Sequence, residues 1–170
     1  MLERSSAKTM AKRLEAVASI AENLINFTNE TGFEAFAVIQ ETADGFVVTD
    51  AVSTGNGADG SPGVDVGAAL DTLGISSQSH DFRIGDLHTQ PGTDFASSLF
   101  SQDDFDGNQA SFDARDFMIN NSSISSISRR FPGTQVPLLG GESGFLGRSV
   151  AKRNQSGGFT LNRPPRRRRR

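Results

Sequence analysis

His88, Gln90, Ser101 and Asp104 lie in one short stretch, Asp86 to Asp104. There a histidine ends an apolar-flanked strand, a Pro91-Gly92 turn follows, and a Phe100-Ser101-x-x-Asp104 step opens a helix. On a strand, residues two apart face the same side, so positions 88 and 90 project together and Asp86 shares their face. A strand imidazole and a carboxylate arriving from just beyond a turn can converge on one divalent ion, leaving a coordination position for water. The chemistry of such a set is metal-assisted attack of water on a polar bond. Asp86 and Asp103 are auxiliary oxygens for it, and His80 lies upstream of the strand among Ser and Gln. Ser101-x-x-Asp104 is equally a helix-capping arrangement, the serine accepting a backbone N–H and the acid favoured in the first turn by the helix dipole.

The elements that must position these residues are read from periodicity. Met10, Leu14, Val17, Ala21 and Leu24 recur at steps of four and three, which predicts an amphipathic helix from about Ser5 to Asn29. Ser5 or Ser6 caps its start, and Gly32 ends it in a left-handed conformation. Phe33 to Gln40 and Phe46 to Val52 read as strands joined through Ala43-Asp44-Gly45, a hairpin signal. Ser53 to Gly63, rich in Gly, reads as a mobile loop. Val64 to Leu73 is compatible with helix or strand. Asp81 to Thr89 is a third strand. Phe105, Phe112 and Phe117 suggest helix then strand, Phe117–Ile119 and Ile124–Ile127 a strand pair across Asn120-Asn121, and Gly133–Leu139 a further strand. From Gly140 onward Gly, Ser, Asn, Arg and Pro dominate, which predicts disorder. The expected organisation is one domain over residues 1–142 and a disordered basic tail over 143–170.

Composition bounds the chemistry. The 170 residues include no Cys, Trp or Tyr, so the bulky aromatic surface is the 13 Phe, and disulfides and Cys-based zinc sites are excluded. The net charge of −3 conceals a division: residues 1–142 hold 8 basic and 20 acidic residues, and residues 143–170 hold 9 basic and no acidic ones. An acidic body favours cations and disfavours nucleic acid, whereas Arg163 to Arg170 would bind polyanions weakly and without sequence preference. No run approaches the roughly 18 apolar residues of a membrane span. The first residues, interrupted by Lys8, Lys12, Arg13 and Glu15, do not form a secretory signal. The expectation is a cytoplasmic protein or one delivered by a specialised secretion system. Asp103 to Asn108 fails the offsets of a calcium loop, Gly55 to Gly63 lacks the Lys of a phosphate loop, and Gly-x-Ser-x-Gly is absent.

The stretch resembles the JAB/MPN metalloprotease family, whose motif reads His-x-His-Pro, a spacer, then Ser-x-x-Asp. His88 matches the first motif histidine, Pro91 the proline, and Ser101 and Asp104 the Ser-x-x-Asp step. Nine residues separate Pro91 from Ser101 where seven is usual, and Gln90 stands in place of the second histidine. A glutamine oxygen is a harder, neutral and weaker ligand for zinc than imidazole. The order helix, Glu34, Asp-Gly hairpin, His-Thr and Phe-Ser-x-x-Asp is similar to the JAB-like domains of bacterial polymorphic toxins, although Ala35 and Phe36 follow the glutamate where those have small glycines.

The resemblance covers roughly residues 15 to 140. It implies an α+β domain with a central mixed, cytidine-deaminase-like sheet, packed by the N-terminal helix and a short helix after the metal motif. It implies a divalent metal, of zinc type, held by His88, Gln90 and Asp104, with Glu34 as general base and Ser101 stabilising the oxyanion. The implied activity is peptide or isopeptide hydrolysis, with a protein or peptide substrate and a cognate inhibitor protein as partners. Two other readings remain open: a catalytically degenerate binding or structural module of the same fold, and a polyanion-binding protein acting through the arginine tail.

Overall fold

The apolar stripe of the first helix and the two-residue alternation of the strands meet on one side of a single sheet. A computed structural model of the chain describes residues 12–57, 60, 63–75, 83–93, 99–101, 104, 115–128, 131–138 and 143–163. Helix α1, Arg13–Thr31, buries Val17, Ile20, Ala21, Leu24 and Ile25, so the stripe read from the sequence is the packed face. Among the described residues α1 begins at Arg13, whose guanidinium lies over the Phe46 ring at 5.5 Å, and Lys12 holds the N-cap position with extended dihedrals (φ −124°, ψ 138°). Gly32 ends α1 at φ 76°, its N–H bonded to the Thr28 carbonyl. That left-handed position is the one glycine occupies without a Cβ penalty.

Strands β1 (Phe36–Thr42) and β2 (Gly45–Val48) form the hairpin across Ala43-Asp44. The ambiguous segment is helical: α2, Val66–Leu73, is capped by the Asp65 carboxylate, which accepts the Ala68 N–H. Then come β3 (Arg83–Thr89), β4 (Leu99–Ser101), β5 (Arg115–Ile119), β6 (Ser123–Ser128), β7 (Thr134–Pro137), β8 (Ser143–Leu146), β9 (Arg148–Arg153) and β10 (Phe159–Leu161). Seven strands form one sheet in the order β10-β9-β6-β5-β3-β1-β2, and β4-β8-β7 form a second. Among the described residues only β3 and β5 pair in parallel, so the architecture is α+β with a mixed main sheet.

Alternation divides the main sheet. Ala37, Ile39, Leu87, Phe117, Ile119, Ile124 and Ala151 pack with α1. Phe36 and Val38 pack with Ala69 and Leu70 of α2 on the other face. On that same face Met118 and Ile127 pack with Phe100 and Phe145 of the smaller sheet.

Residues 143–163, expected to be disordered, instead carry strands β8, β9 and β10, which join the two sheets. β9 pairs with β6, which would otherwise present an open edge, and β10 pairs with β9. Phe145 and Ala151 are buried, and Val150, Phe159 and Leu161 lean on the main core. Arg153 donates to Asn121 Oδ1 (2.7 Å), Asn26 Oδ1 (3.0 Å) and the Gly157 carbonyl (2.9 Å). A few well-spaced apolar residues outweigh a polar average, because strand pairing satisfies the backbone whatever the composition. Residues 164–170, most of the arginine run, lie outside the described residues. So do Ser5, Ser6, His80, Asp103, Phe105 and Phe112. No helix among the described residues is long and apolar enough to cross a membrane.

Candidate active site at the carboxyl end of β3

β3 places His88 on the sheet face away from α1, directly between Phe36 of β1 and Met118 of β5. Its side chain is only 12% exposed, and the Phe100 ring meets it edge-on with centroids 6.2 Å apart. Phe100 is itself held from behind. Gly147, where the chain passes from β8 of the small sheet to β9 of the large one, lies so close that an added Cβ would come within 2.5 Å of the Phe100 ring.

Asp104 reaches the same place from the other side of the turn, its Oδ2 3.9 Å from His88 Nε2. Two donors on one tetrahedral zinc, at bonds near 2.0–2.1 Å, stand about 3.3 Å apart, so a closure of roughly half an ångström would let both bind one ion. The carboxylate is positioned by a reciprocal cap: Ser101 N–H donates to Asp104 Oδ2 (2.8 Å), and Asp104 N–H donates to Ser101 Oγ (3.1 Å). The capping arrangement is therefore formed, and the cap is what aims Asp104. Ser101 ends strand β4, with Asp104 helical just beyond it.

Glu34 stands two residues before Phe36, the β1 residue opposite His88. Burial pushes its carboxyl above the usual carboxylate range; the His88 imidazole pulls it back and the Asp104 carboxylate pushes it up. The three side chains therefore share one electrostatic environment, although Glu34, His88 and Asp104 are separated by 54 and 16 positions in the chain. Gln90 follows the end of β3, half-buried, its N–H donated to the Ile119 carbonyl (2.9 Å). Among the described residues no group of three or more His, Cys, Asp or Glu side chains is placed to hold a metal ion. The donor set thus offers one imidazole and one carboxylate at near-bonding separation, with any third donor coming from the neutral Gln90 or from water.

Asp86 lies on the same face as His88, buried, and opposite the equally buried Asp116 in the parallel ladder. Sequence reasoning missed Thr28, Thr89 and Phe100. Thr89 carried a signal: it is a polar residue at a position whose alternation points it into the α1 core, where a satisfied hydroxyl marks a specific contact. No family model matches the chain, and no curated protein or solved structure matches it.

Proposed function

We propose that the chain is a metal-dependent peptide or isopeptide hydrolase on a JAB/MPN-like framework, of the kind found in bacterial toxin domains. The supporting observation is the 3.9 Å approach of Asp104 to His88, with Glu34, two residues before the strand residue opposite His88, close enough for both to bear on its carboxyl; we take the three to line one notch. His88 and Asp104 would hold a zinc-type divalent ion, with Gln90 or water completing its shell; when bound, it supplies Lewis acidity and a lowered water pKa.

The chain's own residues do the rest. Glu34, with its raised proton affinity, takes a proton from water as the water oxygen bonds to the scissile carbonyl carbon. Ser101 Oγ accepts the Asp104 N–H and keeps its own hydrogen to donate to the oxygen that becomes an oxyanion. Glu34 then returns the proton to the departing amine as the C–N bond breaks. Phe36, Met118 and Phe100 around His88 exclude bulk water and strengthen each of these interactions.

A second reading, a non-catalytic module of the same fold, is favoured by one observation: among the described residues no third strong donor joins His88 and Asp104, and Gln90 stands where the motif has its second histidine. Metal binding and turnover separate the two readings. Under the hydrolase reading the purified chain binds zinc or cobalt near one equivalent, His88→Ala abolishes this, and Glu34→Gln keeps the metal while slowing cleavage of peptide or Lys-isopeptide substrates by about a hundredfold or more. A wild-type chain that takes up no divalent metal and cleaves neither substrate class leaves the scaffold reading.

A further inference from the structure

We propose that Thr89 is the positioning residue of the notch: its hydroxyl, anchored on Thr28 of α1, holds the Ala35 amide and so sets Glu34 against His88. Thr89 and Thr28 are both completely buried, and their hydroxyl oxygens are hydrogen-bonded to each other. Thr89 faces α1, away from the site, between His88 and Gln90. Ala35 directly follows Glu34.

Both backbone groups of Ala35 end on Thr89. The Thr89 N–H donates to the Ala35 carbonyl (3.0 Å), as in a regular antiparallel pair. The return bond is irregular: the Ala35 N–H donates to Thr89 Oγ1 (2.9 Å), where a ladder would use the Thr89 carbonyl. The next amide, that of Gln90, points to β5 by the ordinary alternation of a strand and donates to the Ile119 carbonyl. The hydroxyl thus stands in for the carbonyl at the point where β1 and β3 part. It draws the Glu34–Ala35 peptide group toward α1 and takes Glu34 out of the ladder, while the residue before Thr89, His88, stays in it.

A hydroxyl that accepts one N–H and is hydrogen-bonded to a second buried hydroxyl has a fixed direction, unlike a surface threonine. The gap between a general base and the group it works beside is therefore set from the opposite face of the sheet. The chemical meaning of that gap rests on the hydrolase reading; the clamp itself does not.

The test compares Thr89→Ser, which keeps the hydroxyl, with Thr89→Val, which keeps the shape and removes it. In T89V the Ala35 amide exchanges about fivefold faster or more with solvent deuterium, and the Glu34–His88 separation in a crystal structure widens; T89S matches the wild type in both. Neither measurement needs metal or turnover, so they stand whether or not the chain hydrolyses anything. Where cleavage is present, T89V lowers kcat by about tenfold to a hundredfold with KM unchanged, and T89S restores it. Thr28→Val leaves the acceptor but removes its anchor, and gives a smaller change of the same sign; it replaces T89V should that variant fail to fold. Unchanged Ala35 exchange and an unchanged Glu34–His88 separation in T89V, or in T28V where it serves, overturn the proposal.

Discussion

The two faces of the main sheet are built from alternate residues of the same strands, yet they do different work. Toward α1 the strands present Ala37, Ile39, Leu87, Phe117 and Ile119, a continuous hydrocarbon layer. Toward α2 and the small sheet they present Phe36, Asp86, His88, Asp116 and Met118, polar groups set between two smaller apolar clusters. The first face resembles an ordinary core; the second is divided, and burying its polar groups carries a cost that hydrogen-bond or ionic partners offset. A strand's two-residue period lets one stretch, Gly85 to Thr89, supply both. Stability and chemistry can then be perturbed separately, except where Thr89 joins them.

The contrast is sharpest in a pair of truncations. Leu87→Ala, on the α1 face, should cost about 2–5 kcal/mol in chemical denaturation, the range for a fully buried leucine that leaves a cavity. His88→Ala, one residue along, should change stability by no more than about 1 kcal/mol while removing the imidazole donor. Equal losses at the two positions would show that the faces are not divided as described.

Gly147→Ala probes the support behind the site. The new methyl would meet the Phe100 ring at 2.5 Å and the Ser126 carbonyl at 3.0 Å, so one of them must move. A loss of about 1–3 kcal/mol is expected from overpacking, together with a changed environment for the His88 ring protons in NMR spectra, since Phe100 abuts that ring. A destabilised variant whose His88 signals do not shift would mean that Phe100 does not transmit the displacement.

The smallest expected effect is electrostatic. Glu34 binds its proton more tightly folded than unfolded, so its contribution to stability is present below the ordinary carboxylate pKa of about 4.3 and is lost as pH rises through the raised folded value. Glu34→Gln mimics the protonated form and escapes that loss. Its melting temperature should exceed the wild type's at pH 7, with the gap closing as pH falls below about 4. A gap of constant size across that range would remove burial as the cause.

Local pattern located much of the framework. The stripe Val17, Ala21, Leu24 is the buried face of α1, Gly32 ends it, the Asp44-Gly45 hairpin forms, and β5 and β6 pair across Asn120-Asn121. Each depends on residues a few positions apart, where periodicity and turn geometry act. The C-terminal strands were illegible because β9 forms to complete β6, a partner some 25 residues away, and Phe145 and Ala151 matter only once that pairing exists. In the candidate site, His88 and the Ser101–Asp104 cap were visible as types and spacing. The 3.9 Å approach of His88 to Asp104, the burial of Glu34 and the Thr28–Thr89–Ala35 clamp were not.

By itself, the order of residues determined which side chains could take part in chemistry, where α1, the β1–β2 hairpin, β3 and the β5–β6 pair lie, and that the body of the chain is acidic. Only the tertiary structure decided that His88 and Asp104 approach to 3.9 Å, with Glu34 two residues before the strand residue opposite His88, and that residues 143–163 belong to the same sheets. The reason is physical: alternation and capping are properties of a few consecutive residues, whereas convergence depends on strand order and register, which hydrogen bonding and packing across the whole sheet establish together.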